Sequence, residues 1–97
     1  MRSNHRDIRF IESKGHYLYF KTSNGNITMR GTMYSLEQEL EKDGYARCNN
    51  SFLVNLSFVT KVTANSCIVD GTSLSISRSK RNLFMQKLTL HLGGRIL

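Results

Sequence analysis

Arg47-Cys48-Asn49-Asn50-Ser51-Phe52-Leu53-Val54-Asn55 is the stretch on which the reading of this chain turns. Its first half is polar, with an Arg, two Asn and a Ser in near succession. From Phe52 the pattern becomes alternation. Phe52, Val54, Leu56 and Phe58 fall on one side, Leu53, Asn55 and Ser57 on the other. A period of two marks a half-buried strand, because successive side chains of an extended chain point to opposite faces. The spacing predicts a core strand running through Val59, with Tyr45-Ala46-Arg47-Cys48 leading into it. A polar edge joined directly to a core strand is held rigid.

Upstream, residues 8–12 read as a strand and Ser13-Lys14-Gly15-His16 as a turn. Tyr17 to Thr22 is a second strand, rich in β-forming side chains. Ser23-Asn24-Gly25-Asn26 is the clearest hairpin signal, since Asn-Gly favours the primed turns, and Ile27 to Arg30 returns as the third strand. Thr32 can then cap a helix whose Met33, Leu36 and Leu40 share one face, with Gly44 ending it. Glu37, Glu39 and Glu41 lie off that stripe and read as its solvated back.

Downstream, Thr60–Thr63 and Cys67–Asp70 read as short strands, and Asp70-Gly71 as another hairpin turn. Ser73-Leu74-Ser75-Ile76-Ser77 alternates with Leu74 and Ile76 inward. A terminal helix is predicted from about Lys80 to Leu92, with Phe84, Met85, Leu88 and Leu92 apolar and Gly93-Gly94 ending it. There is no Pro and no repeat. The expected architecture is mainly β with two helices, in one domain over residues 1–97 with its core at about 8–90.

At 97 residues and 39% hydrophobic content the chain is long enough for a single modest core. No apolar run approaches the ~18–20 residues of a membrane span. Met1-Arg2-Ser3-Asn4-His5-Arg6 is positively charged but no apolar segment follows, so a cytoplasmic location is expected, with Cys48 and Cys67 as reduced thiols. The net charge of +7 is the informative quantity. Residues 35–46 hold four of the seven acids and one Lys, so the rest of the chain carries +10. After Asp70 there is no acid, while Arg78, Lys80, Arg81, Lys87 and Arg95 follow. Such segregation raises the local concentration of a polyanion. An anionic membrane is a weaker match, because the terminal helix only loosely fits a basic amphipathic anchor.

Catalysis is disfavoured. The acids cluster on one helix rather than pairing, and His5, His16, His91, Cys48 and Cys67 show no metal-ligand spacing. No Gly-rich phosphate loop suggests a nucleotide, so neither cofactor nor metal is expected. Three polar positions stand at seams between strand and turn: His16, Asn50 and Arg78. Singly each reads as a surface or turn residue. Together they match direct readout, in which Arg grips guanine O6 and N7, Asn binds adenine N6 and N7, and His adds one bond. Ser79-Lys80-Arg81 at the start of the terminal helix could bind phosphate with helix N–H groups and both cations.

Four segments then come into register. Phe10-Ile11-Glu12-Ser13-Lys14-Gly15-His16, Gly31-Thr32-Met33 with Leu36 and Leu40, Arg47 to Asn55, and Ile76-Ser77-Arg78 resemble the LytTR-type DNA-binding domains over roughly residues 8–90. The resemblance implies a compact, mostly antiparallel β fold that contacts successive major grooves of double-stranded DNA through loops. It implies base contacts from His16, Asn50 and Arg78, with Lys14, Arg47, Asn49, Ser51, Ser79, Lys80 and Arg81 expected at the backbone. The residue before the key Asn is often His in that family and is Asn49 here. Which of Asn49 and Asn50 faces the base stays open, with alignment from Phe52 favouring Asn50. The resemblance further implies two domains on short direct repeats near promoters, and the output role of a two-component response regulator working with a receiver domain or the transcription machinery. Two other classes fit the residues: a basic β module for single strands or RNA, and a module for an acidic protein partner.

Overall fold

The computed structural model describes residues 7–93. The segment 1–6, with His5, and the positions Gly94 and Arg95 lie outside them. In chain order the elements are β1 (Ile8–Lys14), β2 (Tyr17–Thr22), β3 (Gly25–Arg30), α1 (Met33–Leu40), β4 (Tyr45–Asn49), β5 (Phe52–Asn55), β6 (Val59–Val62), β7 (Ser66–Val69), β8 (Thr72–Ser75) and α2 (Arg81–His91), with 3-10 turns at Glu41–Asp43 and Leu56–Phe58. Five strands form one antiparallel sheet in the order β3-β2-β1-β5-β4, and β6-β7-β8 form a second. The expected mainly β architecture with two helices is what the chain adopts.

β5 lies next to the edge strand of the large sheet, between β1 and β4. Leu53 and Val54 are both inaccessible to solvent, yet they belong to different clusters. Leu53 joins Ile11, Leu18, Phe20, Met33, Leu40 and Tyr45 beneath α1. Val54 joins Ala46, Cys48, Cys67, Val69, Leu74, Ile76 and Phe84, between the two sheets and α2. Two readings change. The strand is buried on both faces rather than half-buried, and the buried side chains form two clusters rather than one core. Alternation sorted the faces correctly, since Phe52, Val54, Leu56 and Phe58 share one cluster, but with Leu53 as apolar as its neighbours it did not show that the second face is buried too.

The strand is also shorter than expected. It stops at Asn55, whose side-chain oxygen accepts from Ser57 N at 3.0 Å and so caps the 3-10 turn, while its Nδ2 donates to Ile8 O at 2.7 Å. An Asn that satisfies its neighbours' backbone groups competes with strand continuation. Leu56, in that turn, is still buried in the cluster that holds Val54.

Thr32 caps α1, its hydroxyl accepting from Ser35 N at 3.2 Å. Met33 and Leu40 are buried and Leu36 is half-buried, as the helical spacing requires. The acids are not simply a solvated back. Glu37 lies 3.4 Å from Arg47 Nε on β4, and Glu41 accepts from Lys87 Nζ on α2 at 3.0 Å. These pairs link α1 and the turn after it to β4 and to α2. Arg9 does the same for the two sheets, reaching Asp7 at 2.9 Å and Asp70 at 3.0 Å while stacking 4.3 Å above Phe58.

The two hairpin signals resolve differently. Asp70 and Gly71 both take positive φ, 50° and 85°, the primed turn expected for Asp-Gly. At the first hairpin Thr22 pairs with Gly25, so the turn residues are Ser23 and Asn24, and the positive φ of 106° falls on Gly25 after them. The Thr22 hydroxyl donates to Gly25 O and accepts from Asn24 N, which favours this arrangement over a primed turn at Asn24-Gly25. β3 is the outer edge and is exposed along its whole length, including Ile27 at 58% and Met29 at 50%. On α2, Phe84 is buried and Met85 and Leu88 are half-buried, but Leu92 is 65% exposed, so that position does not join the core.

Truncating Leu53 removes the side chain that ties β5 to α1. Leu53→Ala should lower unfolding stability by roughly 2–5 kcal/mol, the range for a fully buried Leu. A urea melt with a smaller shift than a surface control would contradict the double burial of β5.

Candidate nucleic-acid interface

The antiparallel order brings one set of chain reversals to a single end of the large sheet. There β1 ends at Lys14 and β2 begins at Tyr17, β4 ends at Asn49 and β5 begins at Phe52, and β3 ends at Arg30. Gly15, with φ of 59°, supplies the left-handed residue that lets the first reversal close in two residues. His16 is the second of them and is exposed. Asn50 and Ser51 form the second reversal and are both exposed.

A third segment arrives from the small sheet. After Ser75 the chain leaves β7: Ile76 N donates to Asn65 O and Ser77 N to Cys48 O, each at 2.8 Å. The strand expected over Ser73–Ser77 is thereby cut short, although Leu74 and Ile76 are both buried as expected. Arg78 follows in the turn that leads to α2 and is exposed.

Hydrogen bonds stitch the three reversals together. Ser13 N donates to Ser51 O at 2.9 Å, joining the first to the second. Asn49 Nδ2 donates to Ser75 O at 2.8 Å, joining the second to the third, and the Ser77–Cys48 bond repeats the link. His16, Asn50 and Arg78 thus stand on one tethered surface. Their side chains make no hydrogen bond or ion pair with another described residue.

Asn49 and Asn50 have opposite environments. The Asn49 oxygen accepts from Ser51 N at 2.8 Å and Phe52 N at 3.1 Å, while its nitrogen is held by Ser75. A carboxamide has two donors and two acceptor sites, and this one is largely spent inside the protein. Asn50 keeps its full complement.

The other positions divide in the same way. Lys14, Ser51 and Ser79 are exposed. Arg47, with its side chain 16% exposed, is drawn toward Glu37 at 3.4 Å in a geometry too poor for a hydrogen bond, leaving its Nε buried without one. Arg81 reaches Asn65 Oδ1 at 3.5 Å. Lys80 heads α2, where no side chain caps the helix. Arg47, Ser79, Lys80 and Lys87 meet Glu37 around a cleft of about 80 Å³. The larger groove, about 560 Å³ between Glu41, Lys42, Tyr45, Leu90 and His91, lies beside the start of β4, away from the three reversals. There burial pushes the Tyr45 hydroxyl up to about 12, with Asp43 adding to the effect.

Cys48 and Cys67 are free and buried behind the second reversal. Contact with the Cys67 thiol, together with burial, raises the Cys48 thiol well above its ordinary range. Among the described residues no three potential ligands gather for a metal, and no helix is long and apolar enough to cross a membrane.

Arg30 escaped the sequence reading. Gly31 N donates to His16 O at 2.9 Å, and Arg30 is the register partner of Tyr17, so a further cation stands beside the first reversal. The register that puts it there, Thr22 opposite Gly25, is not the one a turn at Asn24-Gly25 would give, which would set Arg30 opposite Tyr19.

The two asparagines separate by stability. Asn49→Ala leaves Ser51 N, Phe52 N and Ser75 O without their partner and should cost about 1–3 kcal/mol. Asn50→Ala should stay within about 0.5 kcal/mol of the unmodified protein. Thermal melts of the two variants that coincide would contradict this division of labour.

The family model described as the LytTr DNA-binding domain matches residues 1–89. The fold is similar to the LytTr DNA-binding domain of a Bacillus cereus protein described as a methyl-accepting/DNA response regulator, with a TM-score of 0.74 and 22% identity over 86% of this chain and 82% of that one. No curated protein matches. With the family model covering nearly all of the described residues, the chain belongs to the LytTR family of DNA-binding domains.

Proposed function

We propose that this domain binds double-stranded DNA sequence-specifically, reading bases through three turns set into successive major grooves. The observation that carries this reading is the tethering of three polar reversals at one sheet end, with the free side chains of His16, Asn50 and Arg78 projecting from them. A helix-based reader would need a polar exposed helix face. α2 exposes Leu83 and Leu90 among Asn82, Gln86 and His91, a mixed face, whereas the three turns gather polar side chains at one end.

Arg78 is suited to a guanine and Asn50 to an adenine, each through two hydrogen bonds, and His16 to a single bond. Lys14, Ser51, Ser79 and Lys80 are placed to hold phosphates around them. Arg47, Asn49 and Arg81 contribute first by shaping the surface, because each already has an internal contact. Arg47 and Arg81 become phosphate ligands where a closer anion draws them from Glu37 and Asn65. The reading extends to short direct repeats near promoters, two domains per site, in a cytoplasmic regulator that acts with a receiver domain or the transcription machinery. The domain needs neither metal nor cofactor and acts by binding, not catalysis.

One observation favours the single-strand alternative: Tyr17 is 43% exposed on an open sheet face. Its ring is partly covered by Arg30, with the guanidinium carbon 5.8 Å from the centroid, and Lys14 stands 5.9 Å from that of Tyr19. A base would have to displace those cations before stacking. Competition between duplex and single strand of the same sequence should favour the duplex, and preference for the single strand would overturn the proposal.

On a site selected from random duplexes, Asn50→Ala and Arg78→Ala should each cost about 1–3 kcal/mol and relax preference at one base position. His16→Ala should do the same more weakly. Uniform weakening across all sequences would reassign these residues to the phosphates.

A further inference from the structure

The outer face of β1, β2 and β3 carries a row of three side chains at the end where the reversals gather. Lys14 stands opposite Tyr17, and Tyr17 opposite Arg30. The next row back is Glu12, Tyr19 and Thr28, so the nearest carboxylate on this face stands one row away. Arg30 forms no ion pair with another described residue. Arg9, Arg47 and Lys87, by contrast, are each committed to a carboxylate.

Two contacts hold Arg30 in place without consuming it. Its guanidinium carbon stands 5.8 Å from the Tyr17 ring centroid, within cation–π range. Its backbone is fixed next to the first reversal by the 2.9 Å bond from Gly31 N to His16 O. An arginine seated on an aromatic face keeps its in-plane donors free and has less rotamer freedom to lose when an anion docks. Lys14 and Arg30 flank Tyr17 with no acid between them, which is mildly repulsive in the free domain. A polyanion laid across the row reverses that sign.

We propose that Arg30, seated on Tyr17, makes a fourth DNA contact, holding a backbone phosphate on the side of His16 away from Asn50. The strand order places β3 beyond β2 and β1 from β5, so this contact widens the footprint outward from the three turns. It rests on the duplex-binding reading above and adds to it a residue that neither base readout nor the resemblance calls for.

The test is a salt series of binding isotherms on a labelled mixed-sequence duplex, which needs no cognate site. Each phosphate contact adds about 0.9 to the slope of log affinity against log salt. Arg30→Ala should therefore lower the slope by about 0.9. Arg30→Lys should retain most of it. Lys21→Ala removes a cation from the same face at the other end of β2, opposite Asn26, and should leave the slope unchanged. An unaltered slope in Arg30→Ala would overturn the fourth contact and leave the three-turn reading standing. An equal fall in Lys21→Ala would also overturn it, reducing the effect to net charge. No duplex binding by the unmodified domain would overturn both.

Discussion

Everything in this domain passes through β5. Its Leu53 belongs to the cluster under α1 and its Val54 to the cluster between the sheets, so four residues of strand hold both halves of the molecule in one frame. A strand inaccessible on both faces cannot slip by one residue, because the slip would exchange Leu53 with Val54 and put Asn55 or Phe52 in their places. That constraint reaches the proposed reading surface directly. Asn50 and Ser51 sit immediately before Phe52, and the Asn49 carboxamide clamps the reversal by holding Ser51 N and Phe52 N. A turn fixed this way loses little entropy when it meets a partner, which is the physical content of preorganisation.

The charge pattern reads differently once the pairs are known. Net charge suggested a split between an acidic helix and a basic remainder. Within the fold the distinction is between cations that are paired and cations that are not. Asp7, Asp70, Glu37 and Glu41 hold Arg9, Arg47 and Lys87. Lys14, Arg30 and Arg78 gather at the sheet end with no carboxylate partner among the described residues. Pairs such as these, with the carboxylate side still open to solvent, add little stability. Their larger effect is to quiet part of the positive charge elsewhere, where Lys21 and Lys61 remain exposed, while three cations without a pair gather at the sheet end.

Much of this was legible in the sequence, and the exceptions share a cause. Strand and helix assignments rest on local periodicity, and β2, α1 and α2 came through because their patterns are local. His16, Asn50 and Arg78 could be singled out because each lies next to a turn residue or the end of an alternating run. What the sequence hid was contact between distant segments. That β5 is buried twice depends on α1 and β7 covering opposite faces. That Asn49 is spent depends on Ser75, 26 positions away. That Arg47 is half-neutralised depends on Glu37, on an element whose acids look solvated when taken alone. Arg30 was missed for a simpler reason, since nothing marks a strand-ending arginine until the hairpin register is counted.

The open edge of the large sheet has a colloidal consequence. All six residues of β3 are exposed, and Ile27 and Met29 lie along an unpaired hydrogen-bonding edge that carries a charge only at Arg30. Such an edge is a template for another strand, and a free domain of net charge +7 keeps other copies away by long-range repulsion. Raising ionic strength to about 0.1–0.15 M shortens that repulsion to about 8–10 Å, while leaving backbone hydrogen bonding at the edge intact. Salt therefore acts on this molecule twice: it loosens the grip on a polyanion and, in the same range, lets like surfaces approach one another.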